Sequence, residues 1–452
     1  MKLLSCALTA LSAALLLAAP PVHAGDASGD TCMENSAASL DALARGDYAV
    51  AGAHFNAAVG KQLDAAKLKQ AWAQLQASAG AYSGHAASAH QMLQGEPAVV
   101  TPITFAKVPL DLVTACDAQG SIAHYRFLPA SMVKPVKPTE AHVEANGVRV
   151  SPLNIPTPIG PLPGELLVPA GQGSFPAVVL LVGSGPLDMD ETIGPNKPFR
   201  DIADGLARAG IASLRYDKRT LTYGARMAGA PFSIDEEVTD DALTAAKLLA
   251  RQPYINARRV FVIGHSLGAM MAPRLGQRDP QLAGLVLLAA PARRIFDVIE
   301  QQVRDQSTKE GLSAAAIEQD VQVGVKERKL LAAVGSGQPA PQGTFKGLSQ
   351  VYWLSWSRVD PLAEAKGLSM PMLILQGGGD FQISPTLDFA RWKQALAGRP
   401  HTAFQLYPGL SHLFMPAGKT GTVADYQAPG HVDAQVIGDI IAWIKTQPPA
   451  RH

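Results

Sequence analysis

The pentapeptide Gly264-His265-Ser266-Leu267-Gly268 constrains this chain more than any other stretch. It follows an apolar run, Arg259-Val260-Phe261-Val262-Ile263, that reads as a buried strand. It precedes Ala269 to Leu275, which reads as the first turns of a helix. A Gly-x-Ser-x-Gly between strand and helix is the nucleophile elbow: the serine sits on a tight, strained turn, and its hydroxyl projects from the sheet edge. Bulk two residues either side of the serine would strike neighbouring backbone, so glycine is required there. The helix that follows aims its first N–H groups at the place where negative charge would develop. The chain has 41 glycines among 452 residues, yet this spacing occurs in it once.

Around the elbow the pattern alternates. Ala177–Val182, Ile211–Tyr216, Val260–Ile263, Leu285–Ala289 and Met372–Leu375 read as buried strands. Arg200–Gly210, Asp235–Arg251 and a closing stretch with Val436, Ile440, Ile441 and Ile444 have helical spacing. Alternation of this kind predicts an α/β fold with a doubly wound, mostly parallel sheet, whose ligands bind beyond the carboxyl ends of the strands. Val148 to Pro169 carries six prolines and is expected to form an antiparallel hairpin at the sheet edge. The segment 293–360 breaks the rhythm. It is helical and charged, with Ile295, Ile299 and Val303 on one stripe and a glycine- and proline-rich break at Gly335–Gly343. Trp353 and Trp356 lie within it and read as packed aromatics or as the wall of an acyl pocket. An insertion at this edge is a cap candidate.

The first part of the chain differs in texture. A helix stopped by Gly46, a second from about Tyr48 to Val59, and a third carrying Leu68, Trp72 and Leu75 come first. Strands at Pro97–Phe105, Pro109–Cys116 and Ser121–Pro129 follow. This predicts a small α+β domain over residues 31–130, a linker at 131–145, and the α/β domain over 146–448.

Hydrophobic content of 47% with 17% charged residues describes a globular chain, and the formal net charge of +1 offers nothing to nucleic acid or an anionic membrane. Lys2, the apolar run Leu3–Ala19 and the small-residue end at Ala24 read as a secretory signal peptide, so a periplasmic or secreted location is expected. No membrane partner is expected for the mature chain. Beyond Cys6 in that leader, only Cys32 and Cys116 remain, and export would permit their pairing.

Gly183-Ser184-Gly185-Pro186, Asp190-Glu191-Thr192, Asn196-Lys197-Pro198-Phe199 and Arg215-Tyr216-Asp217-Lys218-Arg219, together with the elbow, resemble the α/β-hydrolase superfamily over residues 140–448. Within it the chain is similar to exported bacterial esterases near the serine aminopeptidase-like and dienelactone hydrolase-like branches. Its first domain resembles the cone of the nuclear-transport-factor fold, through Gly46-Asp47-Tyr48 and element order. That likeness implies a docking or homodimerising role.

The superfamily's chain order of serine, acid, histidine implies Ser266 as nucleophile, Asp380 as orienting acid and His412 as base. Asp380 follows a strand through Gly377-Gly378-Gly379, and His412 precedes the closing helix. Asp360 is the rival acid, and His401 and His431 are the rival bases. Leu267 and Ser184 are the expected oxyanion donors through their backbone N–H groups, with Gly185 competing for the second place. Asp190, Lys197 and Arg219 are expected to form an ion-pair network behind that loop. The resemblance implies hydrolysis of a small-molecule carboxylic ester with no metal or organic cofactor. The alternatives are an aminopeptidase or amidase with the same triad, and a binding protein with a vestigial hydrolase domain.

Overall fold

A computed structural model describes residues 26–93, 96–129, 140–227, 230–309, 311–335 and 348–450. The expected leader, most of the expected linker and nearly all of the Gly335–Gly343 break lie outside the described residues. The chain divides into two compact units, Met1–Lys137 and Pro138–His452. No helix among the described residues is long and apolar enough to cross a membrane.

The first unit begins with helices Asp26–Arg45, Tyr48–Ala53, Ala57–Gln62 and Ala65–Ala79. The single helix expected from Tyr48 to Val59 is therefore two. The break comes at Asn56, whose side chain accepts the Val59 N–H at 3.0 Å and caps a new helix. Strands β1 (Tyr82–His85), β2 (Ala89–Leu93), β3 (Glu96–Phe105), β4 (Leu110–Cys116) and β5 (Ile122–Pro129) form an antiparallel sheet. Trp72 packs against Tyr82, Phe105 and Phe127 at ring distances of 5.5–5.9 Å, which makes it core. Cys32 and Cys116 are joined in a disulfide across 84 residues, with Cα atoms 5.7 Å apart.

The second unit is built on one sheet. Its strands are β6 (His142–Val143), β7 (Arg149–Pro152), β8 (Gly164–Val168), β9 (Phe175–Leu181), β10 (Ala212–Tyr216), β11 (Ile255–His265), β12 (Gly284–Leu288), β13 (Met372–Gly377) and β14 (Thr402–Tyr407). Their order is β14-β13-β12-β11-β9-β10-β8-β7-β6. The six strands from β14 to β10 are parallel, and β8, β7 and β6 continue antiparallel, as the proline-rich stretch predicted. Strand β9 shows why its sequence is apolar throughout. Ala177, Val179 and Leu181 enter the core on one face, while Val178 and Leu180 enter the core on the other. The chain leaves β9 for β10 and then crosses back to β11, so the order reverses beside β9. A crevice at such a switch point is where ligands bind in open α/β sheets.

Between β12 and β13 lie helices Ile295–Lys309, Ala314–Gly335, Gln350–Ser357 and Pro361–Lys366. The buried apolar positions of the first are Ile295 and Val298, with Ile299 and Val303 less covered, so the apolar stripe is turned slightly from the expected one. Trp353 and Trp356 are buried and stacked 5.4 Å apart. Trp356 donates its indole N–H to Met270 Sδ at 3.5 Å, which fixes Gln350–Ser357 against the helix that follows the elbow.

Candidate active site

Strand β11 ends at His265, and the next helix, Leu267–Arg278, starts one residue after Ser266. Ser266 therefore carries the whole turn, with φ 51° and ψ −112°. A residue forced into such a conformation costs about 1–3 kcal/mol, which its surroundings must offset. Its N–H donates to Leu288 O at 2.9 Å, pinning the elbow to the end of β12. A Cβ on Gly264 would lie 2.4 Å from the Gly268 carbonyl, and one on Gly268 would lie 2.2 Å from Leu181 O. Both glycines are present for close approach rather than for unusual dihedrals.

The acid and the base come from neighbouring loops. After β13 the chain turns through Gly378 and Gly379 to Asp380, and after β14 it runs from Pro408 to His412. A Cβ on Gly377 would lie 2.3 Å from Ser411 O, and one on Gly378 would lie 2.6 Å from Pro408 Cα. The glycines allow the two loops to press together; the turn is packed, not slack. Asp380 Oδ1 accepts the N–H groups of Gln382 and Ile383, at 2.8 and 2.9 Å. Asp380 Oδ2 accepts from Gln376 Nε2 at 2.9 Å and from His412 Nδ1 at 2.8 Å. Four donors hold a buried carboxylate. With Nδ1–H committed to Asp380, the lone pair of His412 is left on Nε2, the state a general base requires.

His412 stands over the elbow. Its ring centroid is 4.5 Å from that of His265, the residue before Ser266. Among the described residues the Ser266 hydroxyl is not hydrogen-bonded, and catalytic hydrogen bonds are commonly long until substrate is bound. The rivals lie elsewhere. Asp360 caps helix Pro361–Lys366 by accepting the Ala363 N–H at 3.1 Å. His401 is exposed, and His431 is exposed and paired with Asp201 at 2.9 Å.

The loop after β9 supplies the other wall. A Cβ on Gly183 would lie 3.4 Å from Ser266 Cβ. The Gly183 N–H is used, donating to Glu191 Oε1 at 2.6 Å. Ser184 and Gly185 follow, both exposed, with Gly185 at φ 99°. Leu267, as first residue of its helix, has an N–H without an intrahelical acceptor.

Four residues that the sequence reading did not assign complete the surroundings. Gln376 holds Asp380, as above. Glu191, itself at φ 55°, hydrogen-bonds His265 Nδ1 at 2.8 Å, and His265 Nε2 donates to His412 O at 2.9 Å. Burial alone would lower the His265 pKa, but the Glu191 carboxylate outweighs it and raises the value. Lys218 Nζ lies 3.2 Å from Gly183 O. A signal for Glu191 was present in Asp190-Glu191-Thr192, and His265 lay inside the elbow itself.

The expected ion-pair network needs correction. Lys197 pairs with Asp190 at 2.8 Å, but Arg219 pairs with Asp241 at 2.6 Å. The second cation on Asp190 is the fully buried Arg215, which also meets Glu165. Arg215 points inward from β10, a central strand, whereas Arg219 has passed its end. Asp217 supports the same loop by accepting the Met189 N–H at 2.8 Å. Burial, reinforced by Asp188 and Asp190, pushes the Asp217 pKa up to about 7 against the Met189 hydrogen bond and Arg215.

Esterase EstD of Thermotoga maritima is 33% identical over 392 residues, covering 85% of this chain and 88% of that protein. Two solved structures are more distant. Est1E from Butyrivibrio proteoclasticus has a TM-score of 0.42 at 12% identity, over 65% of this chain and 98% of its own. The esterase domain of a Rhodothermus marinus protein has a TM-score of 0.39 at 16% identity, over 66% of this chain and 98% of its own. Likenesses that remote carry no argument about function. The model of the alpha/beta hydrolase family matches residues 166–424, and with that match and the 33% identical relative, this chain belongs to the alpha/beta hydrolase family.

Proposed function

We propose that this chain is an exported serine esterase that cleaves short-chain carboxylic esters through an acyl-enzyme. The observation that carries the reading is Ser266, held in a strained turn beside the buried His412–Asp380 pair. The relative named an esterase supports the substrate class. In the first half-reaction Ser266 Oγ bonds to the ester carbonyl carbon, and His412 Nε2 takes the hydroxyl proton. The Leu267 and Ser184 N–H groups receive the oxyanion. Collapse breaks the ester C–O bond, and His412 gives its proton to the departing alcohol. Water then repeats the attack on the acyl-enzyme, with His412 again as base, and the carboxylic acid leaves. Asp380 stays ionised and keeps the imidazolium in place.

The insertion is read as the cap. It reaches the helix after the elbow through Trp356 and Met270, and the acid loop through Gln302 Nε2 and Gln382 O at 3.0 Å. With the insertion tied down on both sides of the triad, we read the acyl space beneath it as small and apolar. Turnover of p-nitrophenyl esters is expected to be fastest from acetate to hexanoate and to fall for long chains. Aminoacyl p-nitroanilides should be poor substrates. Faster cleavage of the anilides would instead identify a peptidase, and a preference for palmitate would rule out the small pocket.

Export is supported by the basic and apolar start of the chain and by the Cys32–Cys116 bond. The intact mass of the protein from its native host, denatured without reductant, should match a chain beginning at Gly25 with no free thiol. A retained leader or two free thiols would contradict export.

A further inference from the structure

We propose that Lys218 is a positioning residue that strengthens the oxyanion donor at Ser184 by polarising the Gly183–Ser184 peptide. The inference rests on the reading of Ser184 as a donor. A peptide is a conjugated planar unit, so its C=O and N–H respond together, and a trans peptide points them in opposite directions. Lys218 Nζ lies 3.2 Å from Gly183 O, within the same peptide unit that carries the Ser184 N–H. A cation on the carbonyl draws electron density from the nitrogen and makes the opposite N–H a better donor. The Gly183 N–H, in the preceding peptide unit, is fixed independently by Glu191 at 2.6 Å, so Gly183 is held on both sides next to the elbow.

The lysine is itself held in place. Its ammonium lies 3.2 Å from Glu237 Oε1, and both side chains are buried. Glu237 also accepts from Thr220 Oγ1 and from Tyr352 Oη, each at 2.6 Å. The carboxylate's charge is thus spread over three donors, and the carbonyl of Gly183 has the ammonium on its own side. Tyr352 belongs to the insertion, which connects the cap by three hydrogen-bonding contacts to the oxyanion peptide.

If Lys218 only neutralised Glu237, its removal would alter stability and leave the chemical step alone. Three variants separate the roles. Lys218→Met removes donor and charge, Lys218→Gln keeps a donor without charge, and Lys218→Arg keeps both. Loss of a whole oxyanion donor costs a factor of 10²–10³, so a weakened one should cost about 10- to 100-fold in kcat, with KM little changed. Affinity for a trifluoromethyl ketone, whose adduct with Ser266 places an oxyanion in the same site, should fall in parallel. The expected order is Lys218→Arg near wild type, then Lys218→Gln, then Lys218→Met. Should the methionine variant not fold, the glutamine and arginine variants give the same comparison. Equal kcat and equal ketone affinity across folded variants, with Ser266→Ala inactive, would overturn the role of Lys218 and leave the triad standing. Activity surviving in Ser266→Ala would overturn the triad itself.

Discussion

Replacing Ser266 or His412 by alanine is expected to lower kcat on the order of a million-fold, the loss seen when either member of such a triad is removed from subtilisin. Asp380→Asn should cost on the order of ten-thousand-fold, and the hydrogen bonds say why. The Oδ1 position faces two backbone N–H groups, from Gln382 and Ile383, which cannot turn away. An asparagine must keep its oxygen there and place its NH2 where Oδ2 stood. The Gln376 amide also donates to the carbonyls of Gly377 and Ile383 and cannot turn its oxygen toward it. His412 cannot avoid it: Nδ1 must accept instead of donate, which puts the ring proton on Nε2 and removes the base. Asp360→Asn should behave like wild type, because Asp360 does no more than cap a helix and meet Arg294 at the surface. An inactive Asp360→Asn beside an active Asp380→Asn would reverse the assignment of the acid.

Glu191→Ala is expected to destabilise the second unit by about 3–5 kcal/mol, the usual cost of removing one partner from a buried pair. His265 Nε2 faces a carbonyl and must donate; Nδ1 faces a carboxylate that already accepts from Gly183. Both ring nitrogens therefore carry protons, and the pair is imidazolium with carboxylate. Removing Glu191 leaves His265 either charged without a counter-ion or short of one hydrogen bond, and orphans the Gly183 N–H. A histidine whose folded pKa is raised contributes stability that is complete below its unfolded value, near 6.5, and lost as pH climbs through the raised one. The deficit of Glu191→Ala against wild type in urea unfolding should be largest below about pH 6.5 and shrink as the pH rises above it. Glu191→Gln keeps an oxygen for Gly183 but not the charge, and should fall between the two. A Glu191→Ala variant as stable as wild type across this range would contradict the charged pair.

What could be read from the chain were the features fixed by local covalent geometry. The elbow needs two glycines four residues apart, and nothing distant changes that requirement. The parallel strands are apolar because both faces are covered, which is visible without knowing their order. Asp380 and His412 were assigned through the resemblance's chain order of serine, acid and histidine, with Asp380 after a strand end and His412 before the closing helix. The partners that cross the fold were not legible. Glu191 and His265 are 74 residues apart and meet only because the loop after β9 folds back over the elbow. Arg219 and Arg215 are four positions apart, and sequence did not reveal which one turns toward Asp190. Strands β1 and β2, in Tyr82-Ser83-Gly84-His85 and Ala89-His90-Gln91-Met92-Leu93, have little apolar alternation and are set by pairing with β3. The role of the glycines before Asp380 as contact points between two loops was not legible either, because the second loop comes from about thirty residues further on.

The proposed chemistry requires a covalent bond between Ser266 and the substrate's acyl carbon. Treating the folded enzyme with a fluorophosphonate and mapping the adduct by peptide mass spectrometry tests it directly. One phosphonylated residue is expected, Ser266, with labelling lost in Ser266→Ala and strongly slowed in His412→Ala. An adduct on any other residue, or an enzyme that keeps hydrolysing esters with Ser266 fully labelled, would contradict it.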